Sequence, residues 1–251
     1  MAPDAFGFAL RAPQVAAAIG RGLERAGIAP PELCPVAGGG RGTVEALLPV
    51  LGGETADGFA LIEDGGTAIV EPGEAGQTGA RITAAVDAGA AVLIVAAAGL
   101  PDSGDSGARI AAAVEREGGL RGARLVVLCE ARDVTIAGAD SALAQTLARE
   151  LGAKLVPGAG FVLDALGFDA RMRAARAVIV GDGRLDARAL RGRVAGEIAT
   201  RARQAGVPCH AITACNELNR FDARILDLQA IIQAGTTDEI EAAGASLAAY
   251  L

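Results

Sequence analysis

Short runs of β-branched residues alternate with alanine-rich stretches of helical periodicity along most of the chain, and this alternation constrains the fold more than any other feature. The strand-like runs are Thr67–Pro72, Ala91–Ala97, Arg124–Glu130, Ala177–Asp182, Pro208–Ala214 and Leu228–Ala234, with a weaker one at Glu32–Val36. They lack a regular polar alternation, as expected of strands covered on both faces of a parallel sheet. Between them, Pro13–Ala26 carries Val15, Ile19 and Leu23 on one stripe, and Arg193–Ala205 ends at Gly206 and Pro208. A glycine followed by a proline is a helix stop. The pattern predicts an α/β fold, doubly wound around a mostly parallel, Rossmann- or flavodoxin-like sheet.

Composition narrows what such a fold can do. Only 3% of the 251 residues are aromatic and there is no Trp, so the core is built from Ala, Val, Leu and Ile. That argues against stacking on nucleobases. The formal charge of −7 argues against a nucleic-acid partner, which needs a basic face. Lys154 is the single lysine, so almost all positive charge is Arg. Cys34, Cys129, Cys209 and Cys215 form no C-x-x-C pair and read as reduced thiols, which points to the cytoplasm. No signal-peptide pattern opens the sequence, and the longest apolar run, around Ala88–Gly99, is too short to span a bilayer.

In a parallel α/β sheet, ligands bind beyond the carboxyl ends of the strands, where helix N-termini offer free N–H groups. Four loops are expected there. Ala2–Gly7 opens the chain with Asp4. Ala37–Thr43 holds Gly39, Gly40, Arg41 and Gly42, with Thr43 placed to cap the helix Val44–Leu51. It is neither a P-loop nor G-x-G-x-x-G, so a plain tight turn is an equal reading. Pro101–Gly107 contains Asp102, Asp105, Ser106 and Gly107, and its acids fit helix N-capping equally well.

The fourth loop, Gly181–Asp186, is the most suggestive. Asp182 and Asp186 are expected one helical turn apart at a strand's end, with Gly183 and Arg184 between them. Two such carboxylates could hold Mg²⁺ or take a proton, and the Arg could hold a phosphate or carboxylate on two bonds. The structural alternative is a capped helix start with an internal ion pair. His210, the only histidine, falls inside a predicted strand and reads as a core imidazole with its hydrogen bonds met.

Taken in order, these segments resemble the bacterial glycerate kinase family whose members make 2-phosphoglycerate. The resemblance runs through Ala2–Phe6 with Val15–Ile19, Gly38–Leu47, Thr78–Gly107, and Val162–Asp169 on through Gly181–Asp186 to Pro208. It implies ATP-dependent phosphorylation of D-glycerate with Mg²⁺, with Asp4, Asp182 and Asp186 as catalytic acids and the last two as Mg²⁺ ligands. Gly39–Thr43, Asp105–Gly107, Gly181, Gly183 and Arg184 would bind substrate or phosphate. It also implies a discontinuous domain, 1–56 with 150–251, interrupted by a shortened α/β lobe at 57–149. By their own composition, the loop-rich stretches Gly52–Gly66 and Asp133–Asp140 are the best places for the chain to cross between lobes. A homodimer is compatible with this reading.

The sequence departs from the family pattern at several points. The family's Lys after the first Asp-Ser-Phe is absent, because Gly7 follows Phe6. Gly38 and Arg41 stand at acidic positions of the second loop, the Asn-Asp-Gly-Gly turn reads Gly104-Asp105-Ser106-Gly107, and Arg193 replaces a Lys. Arg41 could supply the lost cation from a neighbouring loop. These losses keep open a catalytically silent relative that retains a small-anion or nucleotide pocket, and, less directly, a nucleotide-binding α/β protein outside the family.

Overall fold

The computed structural model describes residues 1–7, 9–56, 58–100, 105–131, 134 and 142–251. Asp102 and nearly all of Asp133–Asp140 therefore lie outside the described residues. The chain divides into two compact units, Met1–Ala37 with Leu163–Leu251, and Gly38–Val162. The two are nearly equal in length, and the inserted unit begins sooner and ends later than 57–149. Its flanks explain why. Helix α2 (Thr43–Leu51) packs on strand β3 (Phe59–Ile62), and β7 (Lys154–Pro157) is the edge strand of the inserted sheet.

The first unit is built on a four-stranded, wholly parallel sheet in the order β1-β8-β9-β10: Ala2–Pro3, Val178–Leu185, Cys209–Asn216 and Leu228–Gln233. Alternate residues of a strand face opposite sides. Ile179 and Ile212 join Val15, Ile19 and Leu23 of α1 (Ala12–Arg25) and Ile240 and Leu247 of α10 (Thr237–Leu247) in one buried cluster. The Val15-Ile19-Leu23 stripe is at most 1% exposed, as its spacing predicts. Helix α8 (Val194–Ala205) contacts β8 and β9, and Gly206 closes it in the left-handed conformation. Helix α10 starts on a reciprocal cap. The Thr236 hydroxyl accepts from Glu239 N–H at 3.3 Å, and the Glu239 carboxylate accepts from Thr236 N–H at 3.0 Å.

The second unit holds a six-stranded sheet, β2-β3-β4-β5-β6-β7. Its parallel part, Thr67–Val70, Val92–Ala96, Arg124–Cys129 and Lys154–Pro157, adjoins an antiparallel pair, Gly53–Ala56 and Phe59–Ile62. That pair lies in the stretch read from sequence as loop. Gly53–Ala56 is exposed along its whole length, so it carries no hydrophobic signal. Glu32–Val36 is not a strand either, yet it runs beside β1: Cys34 and Val36 donate backbone N–H bonds to Met1 and Pro3 at 2.8 and 3.0 Å.

Helices α1 and α10 approach closely because two glycines face across the contact. A Cβ on Gly22 would overlap the Glu241 carbonyl, and one on Gly244 would lie 2.6 Å from the Ile19 carbonyl. Neither backbone can move without disturbing the helix that carries it. Glu241, buried in this contact, accepts from Arg21 Nε at 2.9 Å and pairs with Arg25. Gly22→Ala should gain a little helix propensity but overpack the crossing, for a net loss of about 1–3 kcal/mol. Urea denaturation should show a lower midpoint at unchanged slope.

Candidate functional site

The candidate residues distribute over the two units. Asp4, Gly181, Asp182, Gly183, Arg184 and Asp186 belong to the first, and Gly39–Thr43 and Asp105–Gly107 to the second.

In the first unit the register of two neighbouring parallel strands builds the site. Pro3 of β1 pairs with Gly181 of β8, and Asp4 N–H donates to the Gly181 carbonyl at 2.9 Å. The next position on each chain is an acid, Asp4 on one and Asp182 on the other. Strands in a sheet lie about 4.8 Å apart, so two carboxyl-bearing residues stand side by side at this end of the sheet. Thr213 of β9, fully buried, is the register partner of Asp182 on its other side. Gly181 and Gly183 make room for this arrangement. A Cβ on Gly181 would lie 2.6 Å from the Pro3 side chain, and one on Gly183 3.0 Å from the Phe6 Cα and Gly7 N.

Gly181–Asp186 is not a strand-to-helix turn. Strand β8 continues through Leu185, so Asp182 and Arg184 follow one another along the same side of extended chain and Asp186 stands just past its end. An extended segment places the Cα atoms of residues four apart about 13 Å from each other, whereas one helical turn brings them to about 6 Å. The expected pair of stacked carboxylates is replaced by a row of alternating charge, Asp182-Arg184-Asp186.

The two acids of that row have opposite environments. Asp182 is pushed above the usual carboxylate range, chiefly by burial, against the pull of the Arg184 N–H bond at 3.0 Å and the Arg193 charge. Asp186 is held below that range, first by its hydrogen bonds from Arg188. Arg188 donates its backbone N–H at 2.8 Å, Nε at 3.0 Å and Nη2 at 2.7 Å. Arg184 turns to Glu217, with Nη2 at 2.6 and 2.7 Å from the two carboxylate oxygens and Nε at 3.1 Å. It also lies 3.6 Å from Asp186. Sequence reasoning passed over Arg188 and Glu217, and it noted Arg193 only as a replacement for Lys.

In the second unit, Gly42 adopts φ 87° at the start of α2. Thr43 is the first helical residue rather than the cap. Its hydroxyl donates to the Gly40 carbonyl at 2.5 Å and tightens the loop. The N–H of Val44, a donor expected to face a ligand anion, is taken by Glu71 Oε1 at 2.9 Å. Arg41 is exposed. Asp105 stands at the N-cap of α4 (Ser106–Arg116) without a side-chain cap bond, and Ser106 is partly buried. Gly107 has a packing role: a Cβ there would lie 2.7 Å from Thr146 Cβ of α5 (Ala142–Leu151).

His210 is 2% exposed, but neither ring nitrogen has a hydrogen-bond partner among the described residues. Its bonds are therefore not met, and burial lowers its pKa, keeping the imidazole neutral. The ring centroid lies 5.9 Å from that of Tyr250. No group of three or more metal-ligating side chains occurs among the described residues, and no described helix is long and apolar enough to cross a membrane.

Comparison with known proteins adds two findings. The model of the glycerate kinase family matches residues 1–75 and 109–248, which is most of the chain. The stretch it leaves out contains all of Thr78–Gly107, one of the segments in which the sequence resembles that family. The crystal structure of a provisionally assigned glycerate kinase 2 from Salmonella typhimurium LT2 superposes with a TM-score of 0.71 at 21% identity, covering 99% of this chain and 96% of that one. At that identity the likeness is one of fold. A search of curated proteins finds no match.

The position of Asp182 has a consequence for stability. A carboxyl whose pKa is raised in the folded state favours the protonated fold, so its ionisation opposes folding at neutral pH. Asp182→Asn keeps an acceptor for the Arg184 N–H and removes the half-buried charge. Without divalent cations, the variant should be more stable than the parent at pH 7. The gap should close as pH falls through the raised pKa, where the parent becomes neutral too. Urea melts across pH 4–8 would test this, and an unchanged or lowered midpoint at pH 7 would refute it.

Proposed function

This chain belongs to the glycerate kinase family, and from that premise we propose that it transfers the γ-phosphoryl group of ATP to the hydroxyl of D-glycerate, giving 2-phosphoglycerate. The observation that carries the reading is the pair of acids, Asp4 and Asp182, on adjacent strand ends of a parallel sheet. Ligands of such sheets bind at that end.

In this reading Asp182 is the general base. Its raised pKa brings its basicity closer to that needed at neutral pH. The glycerate hydroxyl oxygen forms a bond to the γ-phosphorus, its proton passes to Asp182, and the bond to the β-phosphate oxygen breaks to release ADP. Asp4 is the carboxylate suited to Mg²⁺, which takes one or two protein carboxylates and completes its shell with phosphate oxygens and water. Asp186 fits that role less well, since Arg188 already neutralises it. Mg²⁺ would supply charge neutralisation at the β- and γ-phosphates. Arg184 is the candidate cation for an anionic group of the substrates, held ready by its own ion pair.

A second reading, a protein that binds a small anion without turnover, has one observation in its favour. Internal carboxylates cover donors that a ligand would use, Glu217 on Arg184 and Glu71 on the Val44 N–H. One experiment separates the two. Purified protein with Mg·ATP and D-glycerate should form ADP and 2-phosphoglycerate in equal amounts. Asp182→Asn should lower kcat on the order of 10²–10⁴-fold. In the parent, kcat/KM should fall on the acid side as pH drops through the raised Asp182 pKa, because the protonated acid cannot accept a proton. Thermal stabilisation by D-glycerate or nucleotide with no ADP formed would favour the silent binder.

A further inference from the structure

We propose that Glu217 is a positioning residue, holding the Arg184 guanidinium so that Nη1 presents its donors to an anionic oxygen of the bound substrate. The inference rests on the kinase reading above and adds to it a residue that carries no sequence motif.

Glu217 follows the last residue of β9, and its backbone N–H donates to the Leu185 carbonyl at 2.8 Å, extending the pairing of β9 with β8 by one step. Arg184 is the register partner of Cys215, two residues earlier, so the two side chains are diagonal neighbours on one side of the sheet. Both Glu217 oxygens accept from Arg184, and the contacts use Nη2 and Nε. Nη1 has no partner among the described residues. The second acid within reach, Asp186, lies on the Nε side at 3.6 Å and is itself held by Arg188. One edge of the planar fork is therefore fixed by protein and the other end is open.

The pair sits at the surface, with side chains 55% and 44% exposed. Exposed ion pairs contribute little to folding, so its loss should not unfold the chain. What the pair does set is the direction of a long, flexible side chain. An Arg already restrained on one edge loses less freedom when it meets a ligand, a benefit that appears in binding. Two oxygens could use the open donors, the glycerate carboxylate or a nucleotide phosphate. The chemistry is the same for both.

The test is a double-mutant cycle with Glu217→Gln and Arg184→Lys in the full chain. Glu217→Gln should raise KM for one substrate about five- to tenfold, with kcat changed less than about twofold, the pattern of lost binding common to ground and transition states. Glu217→Asp should restore part of the loss. The double variant should be no worse than Arg184→Lys alone, because the Glu acts only through the Arg. Whichever KM moves, for D-glycerate or for Mg·ATP, identifies the anion. The inference is overturned if both KM values stay within about twofold, if the two effects add, or if the loss falls on kcat alone. If the parent shows no turnover, the kinase reading fails by itself, and the same four proteins titrated calorimetrically with D-glycerate and Mg·ATP decide the role of Glu217. Non-additive weakening supports it, and equal affinities or no binding reject it.

Discussion

The site of the first unit depends on the parallel pairing of β1 with β8. Strand β1 is only Ala2–Pro3, too short to be held by its own ladder alone. It is fixed from both sides, by β8 on one flank and by the backbone bonds from Cys34 and Val36 on the other. That double support lets two residues of strand deliver Asp4 to a defined place. Gly181 and Gly183 are the counterpart of this on β8. They lack side chains where Pro3, Phe6 and Gly7 lie against them. Glycines that look in sequence like an anion cradle thus serve to let one strand end lie against another, and the acids come together as a result.

With the strands placed, electrostatics divides the labour. Asp182 and Asp186 are four residues apart on one chain, yet burial lifts one and a guanidinium lowers the other. Carboxylates pushed in opposite directions by their surroundings are what acid–base assignments rest on. The difference arises from the immediate neighbours of each residue. Asp182 meets a backbone N–H and a buried strand neighbour, whereas Asp186 stands where the strand ends and the chain turns, and Arg188 folds back on it within two residues. Local geometry therefore decides that the earlier acid is available and the later one is satisfied.

Much of this was legible in the residues. The six stronger strands appear within one to three residues of their expected bounds, because buried parallel strands announce themselves as unbroken apolar runs. The helix stripe of Val15, Ile19 and Leu23 was equally plain. Misreadings occurred where the signal was local and the cause was distant. Gly183 and Arg184 look like turn residues, but the partner strand β9 carries β8 on through Leu185. Gly53–Ala56 is polar and exposed, so only its pairing with Phe59–Ile62 makes it a strand. Glu217 and Glu71 carry no motif; each matters because folding brings it to a donor more than twenty residues away. His210 was rightly placed in the core, but no single sequence position could show that both its nitrogens lack partners.

The near absence of lysine ties these observations together. With Lys154 alone, nearly every cationic contact must be made by Arg. The two are not interchangeable: an ammonium is a compact charge that swings freely, while a guanidinium is a planar fork whose usefulness depends on how it is turned. An Arg that is to meet a ligand with one end benefits from an acid holding the other. Arg184 with Glu217 has this form, whereas Arg171, away from the site, is held at every nitrogen, by Glu32 at 2.6 Å, the Leu33 carbonyl at 3.0 Å and Cys34 Sγ at 3.0 Å. At such a position the exchange of lysine for arginine involves more than one side chain, because the fork needs a partner to orient it. Under the proposed kinase reading, Glu217 would thereby matter to the site through Arg184.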